Sequence, residues 1–287
     1  LQNLITHLIA ILSFLAIITL MKKIKINSII KEVNSDNLHE LRLELGISDD
    51  TITIYKGFAT NENLKLNDND SVIFIKKGQI PKNECLKEMM AARNSPEINE
   101  ALNGAKIGIA GLGGLGSSVA IALARVGVSY LKLVDFDTVD PSNLNRQQYF
   151  ISDIGKYKTQ ALADIIAKIN PFVNVEIETI KLDENNVNSV FNSCDIVAEC
   201  FDNPHAKAML INNLKNKIIV AASGMAGYGR SDEIKTIKMA KNLYICGDLK
   251  SAASIGNGLM APRVGICAMH QANQILDILI KRVENNG

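Results

Sequence analysis

The sequence predicts an α/β protein: a doubly wound, mostly parallel sheet preceded by a small α+β domain. Three observations carry this expectation. From residue 105 onward, short apolar runs alternate with helical segments. That region opens on "GIAGLGGLGSSVAIALARVGVSYLKLVDFD", residues 108–137, which reads as strand, glycine-rich turn, helix and second strand. Residues 21–80 read strand, strand, helix, strand, strand, a pattern that suits a small sheet curled over one helix. With 287 residues the chain is long enough for one large or two modest domains, and 47% hydrophobic content can fill a core. A formal net charge of +1 gives no overall pull toward nucleic acid or acidic lipid, so no nucleic-acid partner is expected.

Taken in order, residues 1–20, "LQNLITHLIAILSFLAIITL", form an uncharged apolar stretch long enough to cross a bilayer as a helix. Three readings stay open: sequence upstream of the native protein, a membrane anchor, or an ordinary helix. The second reading of a start is Met21, which opens "MKKIKINSII", and a membrane role follows only if the stretch is native. Residues 21–80 supply "KKIKIN", "IIKEV", "NLHELRLELGI", "TITIYKG" and "SVIFIKKG" as strands and one amphipathic helix. Residues 81–104 are expected as a polar linking helix. From 105 to 287, "AKIGIAG", "YLKLVDFD", "NVEIETI", "CDIVAECF" and "KIIVAAS" are the parallel strands, "EIKTIK" and "NLYICGD" are added strands, and "APRVGICAMHQANQILDILIKRV" is a long closing helix with Pro262 in its first turn.

The five cysteines, Cys85, Cys194, Cys200, Cys246 and Cys267, form no C-x-x-C. Neither a zinc ribbon nor a disulfide scaffold is indicated, and reduced thiols in a cytoplasmic protein fit best.

Gly111, Gly113 and Gly116 occupy the three positions of G-x-G-x-x-G, with Gly114 between them, directly after a strand and at a helix start. Such glycines let backbone N–H groups approach a phosphate, and the helix N-terminus adds partial positive charge. Asp135 follows at the end of the next strand, where an acid accepts hydrogen bonds from ribose hydroxyls, and Asp137 lies two residues on. To this point NAD and ATP fit equally. The polar run "DFDTVDPSNLNRQQYFISDIGKYK" separates them, because a triphosphate needs cations beside the nucleotide and NAD does not. Arg146 can fork onto phosphate oxygens and Lys158 can act as a point charge, with Asn143 beside them. Asp202, in "CFDN" after the fourth strand, is placed to hold magnesium near those phosphates. The combination reads as an adenylation site using ATP and Mg2+.

On "GLGGLG", "DFDTVDPSNLNRQ", Lys158 after "DIGKY", and "FDN", the region 105–275 resembles the ThiF/MoeB/ubiquitin-activating superfamily, a Rossmann-like fold. "AARNSP", "AASGMAGYGRS" and "APRVG" resemble its ThiF family 2 branch. Residues 21–80 are similar to a ubiquitin-like β-grasp module, the sulfur carrier ThiS. They lack its free Gly-Gly tail, because "KKGQIPKNECLKEMMAARNSPEINEALNGA" runs on into further chain.

The resemblance implies adenylation of the C-terminal glycine carboxylate of a separate ThiS-like sulfur carrier, for thiamine thiazole biosynthesis, with a sulfur donor system acting next and a homodimer as the working form. It implies Asp135 as ribose ligand, Arg146 and Lys158 as phosphate ligands, Asn143 as their helper and Asp202 as metal ligand. It also implies an arginine from an upstream helix of a partner subunit, for which Arg93 is the candidate. The zinc-binding C-x-x-C pairs of MoeB are missing, so no structural zinc is expected. Some relatives carry a reactive thiol on a loop over the site, and Cys246 falls nearest to that place. Two alternatives stay open: the same chemistry on another carboxylate, that of molybdopterin synthase's small subunit or a tRNA-linked group, and a regulatory binding module.

Overall fold

The computed structural model describes residues 21–286; the apolar stretch 1–20 lies outside the described residues. No helix among the described residues is long and apolar enough to cross a membrane. The chain divides into two compact units at Pro96/Glu97.

In the first unit, β1 (Lys22–Ile26) and β2 (Ile29–Val33) form a hairpin closed by Asn27 and Ser28, both at positive φ (45° and 77°), the two-residue turn whose twist matches the strands. Helix α1 (Leu38–Glu44) is capped by Asn37, whose side chain accepts the Glu40 N–H at 3.0 Å. Strands β3 (Thr51–Tyr55), β4 (Phe58–Ala59) and β5 (Ser71–Lys76) complete a sheet of order β2-β1-β5-β3-β4, with β1 and β5 parallel. The short β4 was not expected. It arises because Lys56 and Gly57 make a second two-residue turn with positive φ (49° and 80°), returning the chain along β3. Ile24, Ile26, Val33, Leu38, Leu41, Leu66, Val72 and Phe74 fill the core between sheet and helix.

The expected linking helix is two helices, α2 (Asn83–Ala91) and α3 (Pro96–Asn103), because Pro96 disfavours helix at the residue before it and starts a new one. Helix α2 is fastened to the first unit. Glu88 pairs with Lys25 and accepts the Ser28 hydroxyl at 2.7 Å, and the Cys85 thiol meets the Asn27 carbonyl at 3.4 Å.

The second unit is a seven-stranded sheet of order β11-β12-β10-β9-β6-β7-β8. Its strands are β6 (Lys106–Ala110), β7 (Tyr130–Val134), β8 (Asn174–Glu178), β9 (Ile196–Glu199), β10 (Ile218–Ala222), β11 (Lys235–Ala240) and β12 (Leu243–Gly247). All neighbours pair in parallel except β11 with β12.

Strand alternation sends residues to two cores. Ile107, Ile109, Ile196, Ala198, Val220 and Ala222 pack with α4 (Gly114–Val126), α5 (Lys158–Ile169) and α8 (Ala261–Asn286) on one face. Ala110, Val197, Ile219 and Ala221 meet α6 (Val187–Val190) and α7 (Pro204–Asn213) on the other. The sheet is therefore doubly wound. The chain leaves β6 toward β7 and β8, then returns to the opposite side of β6 at β9. That reversal opens a crevice beyond the carboxyl ends of β6 and β9, the place where open α/β sheets bind ligands.

Candidate nucleotide site

The turn after β6 fills this crevice. Gly111 has φ of +87°, and a Cβ there would lie 3.2 Å from the Cys200 carbonyl oxygen. A Cβ on Gly116 would lie 1.8 Å from the Gly111 carbonyl oxygen, so only glycine lets α4 approach the turn. Gly113 is the N-cap of α4; no side chain caps this end and no acid lies in its first turn. Helix geometry leaves those first N–H groups for an anion.

Two neighbours hold the turn in place. Asp135, at the end of β7, accepts the Leu112 N–H at 2.6 Å on Oδ2 and the Asp137 N–H at 2.8 Å on Oδ1. The buried Tyr149 hydroxyl donates to the Leu112 carbonyl at 2.8 Å. Burial pushes the Asp135 carboxyl up, opposed by its two backbone donors and by Lys158. Lys158 opens α5 and is 6% exposed; its ammonium lies 2.9 Å from Asp137 Oδ2, and its N–H donates to the Asp137 carbonyl. Asp135, Asp137 and Lys158 thus form one group beside the glycine turn.

Arg146 reaches the same turn from a separate loop. A Cβ on Gly114 would be 3.2 Å from its Cγ, and its guanidinium donates to the Ser142 carbonyl at 3.2 Å and to Asn145 Oδ1 at 2.8 Å. Asn143 is buried and turned inward, where it exchanges hydrogen bonds with Asp140 to cap a 3-10 turn over Pro141–Asn143. Its Oδ1 accepts the Asp140 N–H and its Nδ2 donates to the Asp140 carboxylate, so the amide braces the loop that carries Arg146.

Asp202 stands exposed after β9. Its neighbour Asn203 caps α7 by accepting the His205 and Ala206 N–H groups. Beneath it, buried Glu199 accepts the Phe201 N–H at 2.7 Å and pairs with Lys207 at 3.0 Å, and Lys207 also donates to the Ala222 carbonyl at 2.8 Å. Among the described residues no group of three or more His, Cys, Asp or Glu could hold a metal. A lone exposed carboxylate suits magnesium shared with a polyphosphate, since that ion takes one or two carboxylates, phosphate oxygens and waters.

Two candidates lie elsewhere. Arg93 is exposed in the first unit, lining a cavity there with Asp49, Asp50 and Lys77. Cys246 is inside β12 rather than on a loop, in register with Ala222 and Thr236 and fully buried. Burial pushes its thiol up to about 11, which disfavours the reactive thiolate. Three residues at the turn escaped the sequence reading: Tyr149, Val264 and Gln147. Val264 Cγ1 lies 2.9 Å from where a Gly114 Cβ would stand. Gln147, buried against Gly113, has an Oε1 with no hydrogen-bond partner, so it keeps capacity for a ligand. Its signal in the sequence was its place at the end of "DFDTVDPSNLNRQ", beside Arg146.

Both units of the chain resemble known proteins. The ThiS-like ubiquitin family matches residues 21–78. The Haemophilus influenzae molybdopterin-synthase adenylyltransferase is 31% identical over 193 residues, covering 65% of this chain and 79% of that protein. The adenylyltransferase and sulfurtransferase UBA4 of Yarrowia lipolytica is 30% identical, over 62% of this chain but only 46% of that protein. Among solved structures, E. coli tRNA N6-threonylcarbamoyladenosine dehydratase in complex with ATP superposes with a TM-score of 0.65 at 20% identity, covering 73% of this chain and all (100%) of that one. That likeness speaks for the fold. With the family match running over residues 86–287, most of its length, the chain belongs to the ThiF family.

Proposed function

We propose that the chain is an ATP-dependent adenylyltransferase that activates the C-terminal carboxylate of a ubiquitin-like carrier, specifically a ThiS-like sulfur carrier ending in Gly-Gly, for thiamine thiazole biosynthesis. The observation that carries this reading is the placement of two cations, Lys158 and Arg146, against an uncapped glycine turn whose ribose-side acid is Asp135. ATP is the nucleotide whose charge calls for both.

One oxygen of the already ionised carrier carboxylate attacks the α-phosphorus. A P–O bond forms, the bond to the bridging oxygen breaks, and its electron pair leaves with pyrophosphate. No general base is needed. Asp135 orients the ribose, the glycine turn and α4 hold the phosphates, and Arg146 and Lys158 stabilise the charge gathering on the leaving group. Magnesium, held by Asp202 and the phosphates, would neutralise phosphate charge. Hydrosulfide released by a sulfur donor then attacks the acyl carbon, and the bond to AMP breaks with its electron pair leaving on AMP, giving the thiocarboxylate. The working form in this proposal is a homodimer in which Arg93 reaches a neighbouring copy's phosphates. Mixing Arg93→Ala and Arg146→Ala subunits should then restore part of the activity that each variant lacks alone.

The test is ATP–pyrophosphate exchange with and without a small carrier ending in Gly-Gly. Carrier-dependent exchange supports the proposal; ATP binding with no exchange for any carrier overturns it. A second reading keeps the chemistry and changes the carboxylate. The identity to molybdopterin-synthase adenylyltransferases favours the small subunit of molybdopterin synthase over a tRNA-linked group, for which the near-neutral chain offers no charge argument. Exchange rates with the two carriers in parallel decide between them.

A further inference from the structure

Beyond the nucleotide crevice, the same rim of the sheet continues over β10 and β12, whose carboxyl ends release two loops, residues 223–230 and 248–260. They are rich in small residues and are bound to one another, while Ser223 at the start of the first loop also donates its N–H to the Cys246 carbonyl of β12 at 2.8 Å. The Gly227 N–H donates to the Gly258 carbonyl at 2.7 Å, and the Ala226 N–H to the Ser251 hydroxyl at 3.1 Å. The Asp248 N–H donates to the Gly224 carbonyl at 2.9 Å. Gly224, at φ +80°, leaves the room that Asp248 Oδ1 takes: a Cβ would lie 2.0 Å from that oxygen.

One side chain joins the loops. Arg263, in the first turn of α8, is 5% exposed. Its guanidinium donates to Asp248 Oδ2 at 2.7 Å, to the Arg230 carbonyl at 3.1 Å and to Glu233 Oε2 at 3.4 Å. The other oxygen of Asp248 accepts the Lys250 and Ser251 N–H groups, each at 2.8 Å, so the arginine grips a carboxylate that is itself folding the second loop. The next residue in α8, Val264, packs on Gly114 of the nucleotide turn. A third tie comes from Asn145, adjacent to Arg146, whose amide donates to the Leu259 carbonyl at 3.1 Å.

We infer that Arg263 is a positioning residue that, through Asp248 and the Arg230 carbonyl, fixes the two loops at a set distance from the nucleotide turn, and so shapes the approach by which the carrier's carboxylate reaches the α-phosphate. The inference rests on the adenylation reading for its second half only. A planar fork serves three acceptors in different directions, which a lysine ammonium cannot match at that depth. The nucleotide turn has its own supports in Asp135 and Tyr149, so the clamp acts on the incoming substrate rather than on ATP.

The test uses the full chain with Arg263→Lys and Asp248→Asn. Amide hydrogen exchange should speed up in residues 224–230 and 248–258 of both variants while the amides of 111–117 keep their protection. Carrier KM should rise about tenfold with kcat and ATP affinity within about twofold. Unchanged exchange at the loops, or an equal loss of ATP affinity, overturns the clamp. A wild type without carrier-dependent pyrophosphate exchange overturns the adenylation reading instead, and the amide exchange of the loops then decides the clamp alone.

Discussion

The two halves of the sheet's carboxyl rim are built on different physics. On the β6 and β7 side, acids accept backbone N–H groups: Asp135 holds Leu112, and Asp137 draws in Lys158 while remaining exposed itself. On the β9, β10 and β12 side, charges are closed on each other underneath the loops, as Glu199 with Lys207 and Asp248 with Arg263. The first half keeps its cations at the edge of the crevice, where a phosphate can meet them. The second uses its ion pairs as internal braces. A charged residue near an active site is therefore no guide to chemistry until its partner is known.

Breaking a brace should cost the most. Lys207→Met leaves Glu199 buried and unpaired and is expected to lower stability by about 3–5 kcal/mol in urea unfolding, with Glu199→Gln in the same chain recovering part of it. If the loss is below about 1 kcal/mol, the Glu199–Lys207 pair is no brace and the contrast fails. Arg146→Ala should act the other way, lowering pyrophosphate exchange by about 10²–10³-fold with an unchanged urea midpoint. Tyr149→Phe strips the Leu112 carbonyl of its donor and should cost about 1–2 kcal/mol, together with weaker ATP binding in calorimetry.

The subtlest expected difference is in pH. Burial alone would raise Asp248, but the Ser251 and Lys250 N–H groups and the Arg263 guanidinium outweigh it and hold the carboxyl well below the usual carboxylate range. Its stabilisation is present above the unfolded value near 4 and is lost as pH falls through the depressed folded value. Asp135 has the opposite sign, its raised value favouring the fold at low pH and losing that contribution as pH rises through it. The stability gap between wild type and Asp248→Asn should be flat above about pH 5 and shrink below about pH 4. A gap that is unchanged at low pH would show that Asp248 contributes by shape alone.

Much of this was readable along the chain because it is local. The glycine spacing, the strand alternation and the Pro262 start of α8 follow from neighbouring residues, and β6 to β12 lie where apolar runs place them. What escaped the reading depends on distant partners. Tyr149 and Val264 reach the turn only through the fold, and the bracing of Asn143 by Asp140 likewise shows only once the loop is folded. Cys246 matches a loop thiol by resemblance alone, although "NLYICGD" already reads as the strand that holds it. The small β4 was hidden in a Lys-Gly turn, a weaker signal than the Asn-Gly pairs that usually mark hairpins.

Lys158 also stands at an unfavourable address. It opens α5, the positive end of that helix's dipole, with no acid in the first turn, and α4 likewise begins without one. A cation there is repelled by about 0.3–1 kcal/mol, relieved by its ion pair with Asp137 and by the nearby carboxylates of Asp135 and Asp140. The starts of α4 and α5 thus concentrate positive charge, and an anion bound there acts as a further member of the fold. Occupancy and stability become thermodynamically linked, so polyphosphate should raise the melting temperature even with no adenosine attached.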